Sequence, residues 1–487
     1  MPEGWVATTL EDVLAPLEDG RLVHQGWSPQ CQKEASDRDD VWGVLKTTAI
    51  QAGAFLPAHN KRLPDKVEPR PLLEVRSGDV LVTCAGPRAR CGVACLVRET
   101  RPRLMMSGKM YRFRFDGQFI DPRFVEAYLI SDLARSAIDQ MKTGGSDSGL
   151  NLTHSRFRQL QIPLAPRHEQ ERIVAAIDEA LSKLDAGDAA LRTVRQRLDR
   201  MRDAVLLAAL SGRLVPEVAT DAPAAKVLAD LGVEPVRDDD LPPIPDRWAY
   251  ARLGDLADVV GGVTKDAKRQ DDPGFVNVPY LRVANVQRGY LDLSQVTTIR
   301  VAPQKADQLR LLRGDVLFNE GGDRDKLGRG WIWEDQVAAC IHQNHVFRGR
   351  LRDPRLQPKI VSWWGNSFGK KWFEAHGKQT TNLASLNLTT LKSFPVVVVP
   401  VDEQSRIVDE VERQFSFIEA CESAVDAGLA RSAALRRSVL KAAFAGKLVA
   451  QDSADEPASV LLERIRAERE DAGVTPKRPQ RARVGPP

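Results

Sequence analysis

HEQERIVAAIDEALSKLDAGDAALRTVRQRLDRMRDAVLLAALSGRLV, residues 168–215, is the stretch that decides the fold. Apolar or small residues recur along it in alternating steps of four and three: Ile173, Ile177, Ala180, Leu184, Gly187, Leu191, Val194, Leu198, Met201 and Val205. That is a heptad seam, the pattern of a helix packed on another helix. About 40 helical residues span roughly 60 Å, which is too long for one helix inside an ordinary compact domain. The helix therefore needs a partner along its length.

The chain itself supplies one. Shifted by 234 positions, the stretch returns without a gap. Glu169-Gln170 becomes Glu403-Gln404, Arg172-Ile173-Val174 becomes Arg406-Ile407-Val408, and Gly212-Arg213-Leu214-Val215 becomes Gly446-Lys447-Leu448-Val449. The register holds to Asp221/Asp455, Pro223/Pro457 and Leu228/Leu462. A gapless match of this length marks an internal repeat. The second seam is interrupted by Gln414, Gly428 and Ser432, so the expected pairing has irregular spots.

The rest of the chain repeats as well. Residues 1–165 read as a mixed α/β module, with short apolar runs flanked by Gly, Pro and charge. Residues 241–399 follow the same plan. Trp248, Leu253 and Asp255 echo Trp5, Leu10 and Asp12; Gly314-Asp315-Val316-Leu317 echoes Gly78-Asp79-Val80-Leu81. Asp353-Pro354-Arg355 echoes Asp121-Pro122-Arg123, and Leu386-Asn387-Leu388-Thr389 repeats Leu150-Asn151-Leu152-Thr153 letter for letter. Between these anchors the copies diverge, as loops do when one scaffold serves two ligands. Residues 166–240 hold the first long helix, a short amphipathic helix and a linker rich in Pro and Asp; residues 400–471 hold the second long helix and its short helix. Residues 472–487 are a Pro-rich basic tail that reads as disordered. The expected fold class is α+β: two mixed modules separated by two long helices packed as an antiparallel coiled coil.

With 487 residues, 43% of them hydrophobic and 28% charged, the chain has the composition of a soluble globular protein of two or more domains. It shows neither a secretory signal nor an apolar run of membrane-spanning length, so a cytoplasmic location with no membrane partner is expected. The six cysteines have no paired spacing and read as reduced structural thiols. Net charge is only +4, but basic residues cluster between Arg88 and Arg114 and in groups along 241–400. Such clusters are either solvated loops or phosphate contacts.

Several kinds of chemistry find no motif. There is no phosphate loop for nucleotide hydrolysis. Gly261-Gly262 and Gly321-Gly322 lack the setting of a dinucleotide site. Asn277-Val278-Pro279-Tyr280 lacks the first proline of an Asn/Asp-Pro-Pro-aromatic methyltransferase motif and a cofactor loop upstream, and reads as a strand end. Pro64-Asp65 with Glu74-Val75-Arg76 is a poor fit to a nuclease cluster. His342-x2-His345 alone does not make a metal site. No catalytic and no metal-binding residues are assigned, and the chain reads as a recognition component.

The order of module, Pro166-x-x-Glu169-Gln170 helix ending at Gly212, second module, and Pro400-x-x-Glu403-Gln404 helix ending at Gly446 resembles the specificity subunit of Type I restriction–modification systems. Tyr280-Leu281-Arg282-Val283-Ala284-Asn285 and Gly314-Asp315-Val316-Leu317-Phe318-Asn319 carry the likeness in the second module. The first departs near its start, with Gln25-Gly26-Trp27-Ser28-Pro29 where the second has Gly261-Gly262-Val263-Thr264. The resemblance implies that each module is a target recognition domain for one half of an asymmetric bipartite sequence in double-stranded DNA. It also implies that the helices act as a spacer, and that two modification (methyltransferase) subunits and restriction subunits dock on the chain. No cofactor is expected in this chain; S-adenosylmethionine, ATP and Mg would sit on the partner subunits.

Candidate DNA-contacting residues are the polar ones in divergent loops: Arg88, Arg90, Lys109, Lys142 and Ser146 in the first module, and Thr264, Lys265, Arg324, Lys326, Lys378 and Gln379 in the second. Arg suits guanine and Gln suits adenine, whereas Lys more often meets phosphate. Glu169, Gln170, Arg172, Glu403, Gln404 and Arg406 stand at helix starts, where carboxylates favour the helix dipole and where a modification subunit could dock. Three rival readings stay open. One is a specificity subunit of a combined cleavage–methylation or orphan methylase system. The second is a coiled-coil scaffold with two interaction domains and no DNA role. The third is an enzyme with an unfamiliar site.

Overall fold

The computed structural model of the chain describes residues 1–266, 270–322, 326–379 and 384–471. The expected tail, 472–487, lies outside them. The chain forms two compact units: Met1–Leu191 with Ala427–Pro487, and Arg192–Asp426. The division falls within the long helices, Arg167–Leu210 and Val401–Phe444. The Pro- and Asp-rich stretch before Trp248 lies inside the second unit. Each unit thus contains one module, the start of the helix that follows it, and the end of the other repeat's helix.

In the first unit, a four-stranded sheet has the order His24–Gln25, Met110–Phe113, Val80–Thr83, Ala94–Leu96. A three-stranded sheet runs Leu104–Met105, Gly43–Leu45, Asn60–Arg62, and a smaller one joins Lys142–Thr143, Leu150–Leu152 and Ala85–Gly86. Val6–Thr9 pairs antiparallel with Gln161–Leu164, closing the module beside the helix start.

The second unit repeats this strand for strand. Its four-stranded sheet runs Ala257–Val260, Val346–Leu351, Val316–Asn319, Gly330–Ile332. Register is conserved between the copies, and even the parallel pair recurs: Met105 opposite Val44, and Ile341 opposite Tyr280. Both pairs are displaced by 236 residues, so two unlike sequences keep one pattern of backbone hydrogen bonds. The buried, β-branched runs such as Val80-Leu81-Val82 and Val396-Val397-Val398 explain why: they fill the core from strands whose faces are both covered.

Within each unit the two long helices run antiparallel. In the first, Arg172 pairs with Asp455, and Arg436 with Asp185 and Asp188. In the second, Arg195 meets Asp426 and Arg202 meets Glu422. The seam differs from the one expected at three of its ten positions. Leu184, Leu191, Leu198 and Val205 are in it, but Gly187, Val194 and Met201 face solvent. Their places are taken by Asp188, Arg195 and Arg202, which form the ion pairs, and Arg202 also lies over the Phe415 ring at 4.8 Å from its centroid. On the second helix the supposed interruptions belong to the seam. Ser432 is buried, and Gly428 lies so close to Leu191 that a Cβ there would come within 2.9 Å of Leu191 Cδ1. Leu435 is exposed instead.

Each helix ends in a glycine with positive φ, Gly212 at +71° and Gly446 at +64°. A side chain there would also strike a proline, Pro245 or Pro2, at 2.3 Å. The chain reverses at these points, and the short helices Ala224–Asp230 and Ala458–Asp471 then pack on the modules. The first core contains Phe124, Tyr128, Ile173 and Ile177 together with Ala443, Phe444, Leu461 and Ile465. The second contains Trp248, Trp363, Trp364, Ile407 and Val411 together with Val205, Ala209 and Leu228.

Candidate nucleic-acid interface

The divergent loops of each module are gathered at one edge by backbone bonds. In the first module, Cys84 N donates to Lys109 O at 2.8 Å, and Leu152 N donates to Cys84 O at 2.8 Å. Gly108 N donates to Ser28 Oγ at 3.0 Å, and Gln25 Nε2 to Gly108 O at 2.8 Å. In the second, Glu320 N donates to His345 O at 2.9 Å, Leu386 N to Glu320 O at 2.7 Å, and Asn344 N to Val263 O at 2.9 Å. The start of each module approaches so closely that no side chain fits. A Cβ on Gly26 would lie 2.2 Å from Ser107 O, and one on Gly262 2.1 Å from His342 O. The Gly26-Trp27-Ser28 and Gly262-Val263-Thr264 segments are therefore structural counterparts despite their different letters.

The candidate residues fare unequally. Lys109 and Ser146 are exposed on the first module, and Thr264, Lys265 and Lys378 on the second. Ser146 Oγ lies 3.0 Å from Ser148 Oγ. Arg90 is tied into the fold. Its guanidinium donates to the Thr47 carbonyl, to Ile50 O at 2.7 Å and to Gln51 Oε1 at 3.2 Å. Lys142 is covered, with Nζ on Asp139 at 2.7 Å and on Arg88 O at 2.9 Å. Arg88 is half-exposed, but Asp139 and Asp147 offset its charge. The expectation of open cations at Arg90 and Lys142 is thus corrected, because loop closure uses both donors. Lys326 is described and held by an interaction of its own. Arg324 lies outside the described residues, and Gln379 is placed only by its strand pairing with Ala384.

The helix-start residues also work within the chain. Trp5 Nε1 donates to Glu169 Oε2 at 3.0 Å, and Trp248 Nε1 donates to Glu403 Oε2 at 3.0 Å. Gln170 accepts from Asp121 N at 2.9 Å and donates to Ala165 O at 2.9 Å. Gln404 accepts from Gln357 N at 2.7 Å and donates to Val399 O at 2.8 Å. All four side chains are buried. Burial pushes the Glu169 and Glu403 carboxyls upward, against the pull of the tryptophan N–H and of Arg172 or Arg406. A partner subunit cannot reach these four without opening the module. Arg172 and Arg406 stay partly exposed, but each is paired with the aspartate after the other repeat's helix, Asp455 or Asp221. The expected docking signature is therefore a clasp that joins distant chain segments within each unit.

Sequence reasoning passed over two features of these edges. His345 and Asn344 occupy the positions of Lys109 and Gly108, with His345 Nδ1 2.6 Å from Glu320 Oε2. Trp27 carries the Arg70 guanidinium at 4.1 Å from its ring centroid. Both could have been found by aligning the modules at an offset of 236. His342 is structural, as its isolation in sequence suggested. Burial lowers its pKa to about 4, and Nδ1 donates to Val346 O at 2.6 Å. Among the described residues no group of three or more His, Cys, Asp or Glu could hold a metal ion, and no helix is long and apolar enough to cross a membrane.

These features define a class: a duplicated chain of two α/β modules, each closed by paired helices, with unlike loops on a like scaffold. Comparison with known proteins shows what the chain is similar to. No family model matches. The Type I restriction enzyme EcoKI specificity subunit of Escherichia coli (strain K12) is 24% identical over 497 aligned positions, covering 97% of both chains. The EcoEI specificity subunit of Escherichia coli is 34% identical over 211 residues, covering 43% of this chain and 34% of its own length. This chain therefore spans about a third of that relative and nearly all of EcoKI's. A chain of a solved structure concerned with complex assembly and conformational transition of the type I R-M system matches with a TM-score of 0.61. The two are 18% identical, and the match covers 92% of this chain and 99% of that one. The homologues of this chain are thus Type I restriction enzyme specificity subunits, and it shares their fold.

Proposed function

We propose that this chain is the DNA-reading component of a type I restriction–modification complex. In this reading each module recognises one part of an asymmetric bipartite sequence, and modification and restriction subunits supply the chemistry. The observation that carries it is the duplication itself: strand order is kept, and the register of the four-stranded sheet and of the sheet with the parallel pair recurs at an offset of 236 residues, while the loops at the module edges diverge. A conserved frame with unlike exposed loops suits two related readings of a repetitive polymer. The absence of a catalytic motif in the sequence and the names of the homologues agree with a non-catalytic role. S-adenosylmethionine, ATP and Mg belong to the partner subunits in this proposal. Two methyltransferase subunits per chain would match the two module-and-helix units.

Duplex binding tests this reading against the scaffold rival. Fluorescence anisotropy of the full chain on labelled duplex is expected to show affinity that falls steeply between 50 and 200 mM salt, because each neutralised phosphate contributes about −0.9 to the slope of log K against log salt. Lys265→Glu combined with Lys378→Glu is expected to weaken binding at least tenfold and to flatten that slope. Binding that is absent, or indifferent to salt and to these charges, would favour the scaffold.

A further inference from the structure

One pair of residues separates the two modules more sharply than the rest. In the first module the Arg70 guanidinium lies over the Trp27 ring, 4.1 Å from its centroid. In the second, 236 positions on, the same places hold Ala306 and Val263, both buried in one apolar cluster. The offset is secure on either side of Arg70. Val75 N donates to Leu104 O at 2.8 Å, as Leu311 N donates to Cys340 O at 2.9 Å. The scaffold therefore does not require an aromatic–cation pair here; a valine and an alanine fill the place. The first module instead puts an indole and a guanidinium at the surface.

The surroundings fix where that guanidinium is held. Gly26 is pinned against Ser107, and Trp27 N donates to Met106 O at 3.0 Å. Ser28 accepts from Gly108, whose neighbour Lys109 is exposed. Arg70 N donates to Met105 Sδ at 3.2 Å, on the same segment. Arg70 is exposed, and among the described residues no carboxylate pairs with it. Stacking on a ring uses the flat face of a guanidinium and leaves its N–H edge available. An arginine edge matches the O6 and N7 acceptors of guanine in the major groove. Holding the fork beforehand reduces the ordering cost on binding.

We propose that Arg70 is a base-reading residue of the first module with guanine as its ligand, and that Trp27 is the residue that positions it. This inference rests on the function proposed above. It accounts for part of the asymmetry of the target, since the second module has no side chain able to make this contact at the equivalent place.

The test uses the full chain assembled with its modification subunits and a panel of duplexes carrying every single-base change in the wild-type target. Arg70→Ala and Arg70→Lys are each expected to lose roughly 10- to 100-fold of discrimination at one G·C pair in one half-site. Selectivity in the other half-site and the thermal midpoint should stay as in wild type. Trp27→Phe, which keeps a ring, should retain the discrimination. A selective wild type with unchanged selectivity in Arg70→Ala would overturn this assignment alone. So would uniform weakening across the panel with a salt slope reduced by about one, the mark of a phosphate contact. A wild type that prefers no duplex would overturn the functional reading, and this inference with it.

Discussion

Truncation of Phe444 to alanine is expected to destabilise the first unit by about 3–5 kcal/mol while sparing the second. Phe444 ends the second long helix, more than 300 residues from the rings it touches. Its ring centroid lies 5.3 Å from Phe124 and 5.1 Å from Tyr128, and it is buried with Leu461 and Ile465 in the first core. Removing it opens a void where the helix end, the short C-terminal helix and the module meet. The second core draws on a separate set of residues, from Trp248 to Val411. Hydrogen-exchange mass spectrometry resolves the difference. Protection should fall in Pro122–Ile130 and Ala458–Asp471 and hold in Pro358–Asn366. Equal loss in both units would show that they unfold as one.

Asp79→Ala should have an effect of similar size for an electrostatic reason. Asp79 is fully buried, accepts from Arg76 N at 2.8 Å, and is held by Arg114. It lies 3.6 Å from the guanidinium of Arg112, which is 1% exposed. Burial raises the Asp79 carboxyl and lowers the Arg112 guanidinium, because each charged form is short of water. Removing Asp79 leaves Arg112 buried with only the partly exposed Glu18 at 3.7 Å to offset its charge, and breaking such a buried pair typically costs about 3–5 kcal/mol. The second module repeats the device: Asp315 accepts from Arg350 at 2.7 and 2.8 Å and from Leu312 N at 2.7 Å. Asp315→Ala should therefore destabilise the second unit, though by less, because Arg350 is partly exposed and can regain water. Urea titration of both variants checks the order.

The repeat made most of this architecture legible in the sequence. The Gly-Asp-Val-Leu anchors mark strands that pair alike in both modules, whereas Leu-Asn-Leu-Thr is a strand only in the first: in the second, Ala384–Ser385 forms that strand and Asn387 caps the helix Leu388–Ser393. What misled was the assumption that a seam is apolar. Gly187, Val194 and Met201 fit a heptad by type, yet Asp188, Arg195 and Arg202 hold those places because each finds an opposite charge on the other helix. A seam built of ion pairs looks like surface when only one strand of sequence is read. The same blindness applied to Glu169-Gln170. A motif repeated in both halves invites a binding role, but its partners Trp5, Asp121 and Ala165 are scattered along the chain. Arg90 and Lys142 looked like open cations because the carbonyls that hold them carry no signature in sequence. The resemblance to specificity subunits supplied the function, which neither periodicity nor charge would have reached.

The account depends on two unlike reading modules in one chain, and genome-wide methylation mapping tests that most directly. Single-molecule sequencing of the host genome, with and without this gene, is expected to show one methylated motif that disappears with the gene. That motif should have two different specified parts separated by unspecified bases. A methylome that does not change, or a lost motif that is a single uninterrupted block, would contradict it.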